Sequence, residues 1–254
     1  MNNKKILTVS ILPLMWFLYF LFELFTGRIK DTPTVMLNIF LMFLFALVGL
    51  FIYKIGYKNQ NGFKFKTMLK LFLSLMLIDQ GIKIFIKLFY FDTYIDIIPN
   101  LLSFNPIINT DGSWLNARFG TNVSFTLLIF FNIIALFVFV EIYRYSLYKN
   151  NKDFWADMSF GFIFCGALCS LIDKLFYGGS LDFIGISNLF IADIKDIYIN
   201  LGILFFILTL FNNGYLSSDE ETTLKEDLQN LRCFLTFIKD DISSKFKLLK
   251  NKQN

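Results

Sequence analysis

The chain has 254 residues, 56% of them hydrophobic and 19% aromatic against 17% charged, with a mean hydropathy of +0.57. A soluble domain carries about a quarter charged residues, so this composition points into a lipid bilayer. The chain contains no histidine, which excludes His-ligated zinc and any catalytic arrangement built on a histidine base, and a net charge of +4 gives no reason to expect a nucleic acid partner.

A hydrocarbon core of about 30 Å needs about 20 apolar residues per helix. Such stretches fall at residues 6–25, 35–53, 69–90, 123–143, 154–172 and 197–211. The first is too long for a removable signal peptide and lacks a small-residue cleavage site, so it reads as a retained helix. The expected fold is all-α, a polytopic membrane protein of about six transmembrane helices, with room for a short β element in its polar outer loops.

Basic flanks orient such a bundle. Starting inside with Lys4 and Lys5, the loop with Lys54, Lys58, Lys64 and Lys66, the turn with Arg144, Lys149 and Lys152, and the basic tail all fall on one face. Both termini are therefore expected to be cytoplasmic. Arg28 and Lys30, in the short first outer connection, run against the rule. The two long outer segments, 91–122 and 173–196, are rich in Asp, Asn and Gly and poor in Lys and Arg, and they hold most of the residues able to do chemistry. Of the cysteines, Cys165 and Cys169 sit in an apolar run and read as small buried hydrophobes; with Cys233 they form no metal-ligand pattern.

After the last span, Asn212-Asn213-Gly214 reads as a stop and Ser217-Ser218-Asp219-Glu220-Glu221 as a helix start with acids in its first turn. Leu224, Leu228, Leu231, Leu235, Ile238, Ile242 and Leu249 then recur at steps of mostly three and four, an apolar stripe on one helical face. It suits the inner membrane surface with lysines toward anionic headgroups, self-association in a short coiled coil, or docking on the bundle's own loops. The expected organisation is a transmembrane hairpin and basic loop over 1–66, a four-helix core over 67–213 and an amphipathic helical tail over 214–254.

An ionised Asp in the middle of a membrane helix costs about 2.5 to 3.5 kcal/mol and needs a partner or a purpose. Asp79 lies near the centre of the third stretch, with Lys83 one helical turn along the same face. Asp173 and Lys174 end the fifth stretch, followed by Gly178-Gly179-Ser180-Leu181-Asp182-Phe183; Ala192-Asp193-Ile194-Lys195-Asp196 immediately precedes the sixth. Two carboxyl groups brought together at an interface of low dielectric cannot both ionise easily, so one holds a proton while the other activates water. That is general acid and base chemistry for amide hydrolysis without histidine or metal.

These residues resemble the lipoprotein signal peptidase family, signal peptidase II. Its Asp-Gln-x-x-Lys motif resembles Asp79-Gln80-Gly81-Ile82-Lys83. Its Gly-Gly-Ala-x-Gly-Asn-x-x-Asp-Arg motif resembles the run from Cys165 to Lys174, with Ser170 in place of the Asn and Lys174 in place of the Arg. Its Val-Asp-Phe resembles Leu181-Asp182-Phe183. The last motif, Phe-Asn-x-Ala-Asp, fits in two registers. One ends on Asp193; the other ends on Asp196 and keeps the family's six-residue step to a glycine, Gly202, and is slightly preferred. The family's Asn-x-Gly-Ala-Ala-Phe segment is matched in part around Asn109 and in part around Asn116.

The resemblance implies an aspartyl endopeptidase of the bacterial cytoplasmic membrane, cleaving the signal peptide of diacylglyceryl-modified prolipoproteins before the lipidated cysteine. Its catalytic pair would be Asp182 with Asp196 or Asp193. Asp79, Lys83, Asp173, Lys174, Ser170 and one of Asn109 or Asn116 would support the site, with no cofactor and no metal. Expected partners are prolipoproteins and membrane lipid. The alternative is a non-catalytic membrane scaffold that keeps the fold, suggested by Ser170, Lys174 and the added hairpin and tail. A small transporter using Asp79 and Lys83 as a relay would more often carry an internal repeat, and none is visible here.

Overall fold

The computed structural model describes residues 3–112, 114–187, 189–214 and 224–251. The expected acidic helix start at Ser217 to Glu221 lies outside the described residues.

Two long helices come first, α1 (Asn3–Phe25) and α2 (Thr32–Lys58). The connection between them ends on Asp31, whose carboxylate accepts from the Thr34 amide and caps α2. Then come α3 (Phe65–Phe89), strands β1 (Ile95–Ile98) and β2 (Leu102–Asn109), the short α4 (Trp114–Phe119), α5 (Phe125–Tyr148), α6 (Phe154–Phe176), strands β3 (Ser180–Ile186) and β4 (Phe190–Ala192), α7 (Ile194–Asn212) and α8 (Leu224–Asn251). The protein is a mostly helical, polytopic membrane protein with one small sheet.

Among the described residues, five helices are long and apolar enough to cross a membrane: α1, α2, α5, α6 and α7. The sequence reading expects six. The difference is α3, which has the length, 25 residues, but carries Lys66, Lys70, Asp79, Lys83 and Lys87. Two of these charges, Asp79 and Lys83, lie 3.0 Å apart in the interior. Long apolar side chains on α2, α3 and α5 stay uncovered, among them Phe43, Phe51, Leu77, Phe130 and Phe131, as expected for helices solvated by acyl chains rather than water.

The close pair is α6 with α7. A Cβ on Gly202 would sit 3.0 Å from the Ile163 amide nitrogen, and one on Gly166 would sit 2.8 Å from Ile199 Cγ1. Without those methyls the two backbones approach closely, as small residues allow between membrane helices. Phe154, Trp155, Phe162, Leu204, Phe205 and Leu208 fill the space beside the contact, Ile11 and Leu12 of α1 close it from one side, and Cys165 and Cys169 are fully buried within it.

The two long polar segments form an antiparallel sheet in the order β1-β2-β3-β4. The β2–β3 register shifts between Phe104 and Ile107, where Pro106 has no amide to offer a ladder. Beyond the bulge Ile107 pairs with Asp182 and Asn109 with Ser180. Ile184 pairs with Ala192 in the following hairpin, so Asp182 and Asp193 emerge at the same end of the sheet.

The first hairpin is tied to this sheet. The Arg28 guanidinium donates to the Leu189 carbonyl, the Thr34 and Ser187 hydroxyls meet at 3.2 Å, and Trp16 and Tyr19 pack edge-on against Phe190. Glu23, fully buried near the end of α1, lies 3.4 Å from both Arg28 and Arg118 of α4. Of the two basic residues that run against the orientation rule, Arg28 is thus engaged in an internal ion pair.

Candidate active site

The site is assembled from four elements. One face of α3 presents Asp79 and Lys83 a turn apart, the last turn of α6 presents Asp173, β3 presents Ser180 and Asp182, and the start of α7 presents Asp193, Lys195 and Asp196. Asp79, Lys83 and Asp193 have no exposed surface; Asp173 and Asp182 are buried as well.

Lys83 is the inner hub. Its Nζ lies 3.0 Å from Asp79 Oδ2, 2.6 Å from Asp173 Oδ2 and 2.6 Å from Asp193 Oδ2. The Gln80 amide donates to Asp79 at 2.9 Å and to Asp173 at 3.2 Å, fixing the two acids relative to one another. Lys195 is a second hub nearer the sheet. It donates to Asp193 and to Ser180 Oγ, and lies 3.4 Å from Asp173 and 3.7 Å from Asp182. Ser180 in turn donates to Asp182 Oδ1, and Asn109 donates to Asp182 Oδ2 at 2.9 Å. Lys195 among three carboxylates is in the setting of a cation, not of the free amine that a serine–lysine nucleophile pair requires.

Asp193 and Asp196 form a reciprocal capping box: Asp193 accepts from the Asp196 amide at 3.2 Å, and Asp196 accepts from the Asp193 amide at 3.1 Å. The three-residue spacing therefore marks a helix start, not the shared helical face that the spacing alone suggests. Carboxylate oxygens of Asp182, Asp193 and Asp196 all lie within 4.8 Å of one another, within reach of one bridging water.

Two of these acids are driven in opposite directions. Burial pushes the Asp182 carboxyl above its ordinary value, and the charge of Asp193 adds to the push against Lys195, Ser180 and Asn109. Burial acts on Asp193 too, but Lys195 and Lys83 outweigh it and hold its carboxyl below the usual range. Three clustered carboxylates could also ligand a hard cation. Lys195 already supplies positive charge between Asp182 and Asp193, so the donor set is poorly suited to one.

Of the residues expected from the sequence, Asp79, Lys83, Asp173, Asp182, Asp193, Asp196 and Asn109 come together. The other three make their hydrogen bonds elsewhere. The Lys174 ammonium turns back to Ser170 Oγ at 2.6 Å. Asn116 braces its own loop, donating to the Asp111 and Val123 carbonyls and accepting from Thr121 and the Val123 amide. Three residues outside the expected set join: Gln80, Ser180 and Lys195. Gln80 lies inside the Asp79 motif, which is signal enough. Lys195 gives none, because a lysine between two acids at a helix start reads as a solvated charge.

A family profile described as signal peptidase (SPase) II matches residues 71–212, the stretch from early α3 to the end of α7. Lipoprotein signal peptidase of Microcystis aeruginosa is 25% identical over 122 residues, 47% of this chain and 74% of that protein. The lipoprotein signal peptidases of Staphylococcus haemolyticus and Staphylococcus epidermidis are 25% and 26% identical, over 48% and 51% of this chain and 75% and 78% of theirs. A solved structure described as a bacterial membrane enzyme shares the fold, with a TM-score of 0.50 at 21% identity over 65% of this chain and 99% of that one. With more than half of its length matched by the family profile, this chain belongs to the signal peptidase II family.

Proposed function

We propose that the protein is a membrane aspartyl endopeptidase that cleaves the signal peptide of diacylglyceryl-modified prolipoproteins before the lipidated cysteine, with Asp182 and Asp193 as its catalytic pair. The observation that carries this reading is the cluster itself: buried carboxyl groups that outnumber the ammonium groups of Lys83 and Lys195 around them. Charge balance in a low-dielectric site then requires a retained proton.

In this reading Asp193, held as an anion by Lys83 and Lys195, takes a proton from the attacking water. Protonated Asp182, aligned by Ser180 and Asn109, gives its proton to the scissile carbonyl oxygen. When the carbon–nitrogen bond breaks, the departing amine takes the proton from Asp193 and the diol returns one to Asp182, so both groups are restored. Asp196 is the second candidate for the base. Its proximity supports it, but it is Asp193 that lies 2.6 Å from Lys83 and is thereby held as the anion.

The wider reading is a bacterial cytoplasmic membrane protein with both termini cytoplasmic, a core over 67–213 that carries the site near the outer leaflet, and an added hairpin over 1–66 and tail over 214–254. A lipid-anchored substrate would then enter from the bilayer. The alternative of a non-catalytic scaffold is favoured by one observation: Ser170 and Lys174, which replace motif residues, bond to each other and not to the acids. The deciding experiment is cleavage of a lipidated prolipoprotein by the purified chain and its Asp182→Asn, Asp193→Asn and Asp196→Asn variants. Loss on Asp182→Asn and on only one of the other two identifies the pair. Full processing by Asp182→Asn overturns the proposal, and an inactive parent chain that still binds the substrate favours the scaffold.

A further inference from the structure

The helix α8 lies beyond the matched family segment, and it meets the rest of the protein on a face other than its leucine stripe. Phe234 and Phe237 pack on Tyr145 and Tyr148 at the end of α5, and Asp241 pairs with Arg144. Phe234, Phe237 and Asp241 recur at steps of three and four and share one face. Leu228, Leu231, Leu235 and Ile242 lie about 100° further round, and all four are exposed, three of them by more than half.

The depth of the docking point says what those leucines meet. α5 has 24 residues, about 36 Å at 1.5 Å per residue, which is longer than a hydrocarbon core of about 30 Å. Its outward side is apolar and uncovered from Leu127 to Val138. Its final turns then change to Tyr143, Arg144, Tyr145 and Tyr148, the mixture of amphipathic rings and cations that settles at headgroup level. A helix anchored on that last turn is held at the boundary between headgroups and acyl chains. The exposed stripe, a quarter turn from the anchor, is continuous in depth with the lipid-facing surface of α5. Arg232 and Lys239, both exposed, lie on the other flank of the stripe from Phe234 and Asp241. From Leu228 onward the tail carries more basic than acidic residues, and one of those acids, Asp241, is already paired with Arg144.

We propose that α8 is an in-plane membrane helix: anchored sideways on α5, it buries its leucine stripe in the adjacent leaflet and rests Arg232 and Lys239 on anionic headgroups. The partner is the anionic bilayer surface, and the inference does not depend on the proposed peptidase activity.

The test uses the full chain in proteoliposomes with Cys233, the exposed cysteine, replaced by serine. Single cysteines at Leu231→Cys, Leu235→Cys or Asp240→Cys carry an environment-sensitive fluorophore, and all three sites are exposed, so the bundle and the α5 anchor are untouched. In bilayers containing phosphatidylglycerol, acyl-chain nitroxides should quench labels at 231 and 235 about fivefold more than at 240, with aqueous iodide showing the reverse order. Replacing phosphatidylglycerol by phosphatidylcholine, or introducing Arg232→Glu with Lys239→Glu, should narrow that ratio. Equal access of iodide to all three sites overturns the proposal. So does efficient 235-to-235 cross-linking between chains without lipid quenching, which would make a second copy the cover for the stripe. Because the readout is local fluorescence, an inactive enzyme leaves the result intact.

Discussion

Two ionic clusters stand at the same end of the molecule and are unbalanced in opposite senses. Around Lys83 and Lys195, carboxylates are in surplus, and contacts as short as 2.5 Å are sealed from solvent. Around Glu23, guanidinium groups are in surplus: Arg28 and Arg118 both approach one buried carboxylate at 3.4 Å, with their own side chains 32% and 21% exposed. A buried surplus of carboxyl groups is relieved by keeping a proton, which is then available for transfer. A surplus of arginine has no such outlet, because arginine does not give up its proton in proteins. The first cluster can do acid–base chemistry. The second can only hold α1, α4 and the β3–β4 hairpin together.

Substitutions that equalise the clusters test this contrast. Asp182→Asn or Asp193→Asn should each lower cleavage of a lipidated substrate about a thousandfold while leaving the folded chain extractable and monodisperse in detergent; near-normal turnover by either would remove it from the pair. Lys83→Met takes the inner ammonium from three buried carboxyl groups, leaving Asp173 and Asp193 to Lys195 and Asp79 without its ion pair, and thermal unfolding in detergent should show a loss of about 3 to 5 kcal/mol. If the melting curve hardly moves, the inner hub is not an ion cluster.

The pH dependence separates the two acids of the proposed pair. Below the depressed value of Asp193 the base is protonated and the rate falls; above the raised value of Asp182 the acid is lost and the rate falls again. The profile of kcat/KM should therefore be bell-shaped, with one limb on each side of the ordinary carboxylate range. A single limb within that range would mean that the two acids are not differentiated.

Smaller effects are expected further out. Asp196→Asn keeps a capping acceptor and should change stability by less than about 1 kcal/mol, with turnover reduced far less than in Asp193→Asn; equal losses would return Asp196 to the pair. Glu23→Gln weakens a partly solvated clamp and should cost about 1 kcal/mol in thermal unfolding with cleavage nearly intact. A Glu23→Gln enzyme as dead as Asp193→Asn would erase the distinction between the clusters.

Much of this was legible in the residues themselves. The helices follow from apolar runs, and the acids of α3, α6 and β3 announce themselves because charge is expensive inside an apolar stretch. Three things were not legible, each for a physical reason. Asp193 and Asp196 are separated by the spacing of a capping box, which a sequence cannot tell from two acids offered to a common site. Lys195 looks solvated until α6 and β3 fold over it. The role of Arg28 depends on the Leu189 carbonyl, 161 residues away, and no local pattern carries that pairing. In α8 the stripe is plain to read, but the anchor chosen by the fold is Phe234, Phe237 and Asp241, on a neighbouring face.

The absent methyl groups at Gly166 and Gly202 set the gauge between α6 and α7. Asp173 rides on one rail and Asp193 with Lys195 on the other, and a Cβ on Gly166 would lie 3.3 Å from the Lys195 carbonyl oxygen, so the distance between Asp173 and the acid at the start of α7 is fixed where the helices touch. An alanine at either glycine would wedge that track open by the thickness of a methyl, which should cost about 1 to 3 kcal/mol in thermal unfolding and draw Asp193 away from Asp173, so that turnover falls with stability.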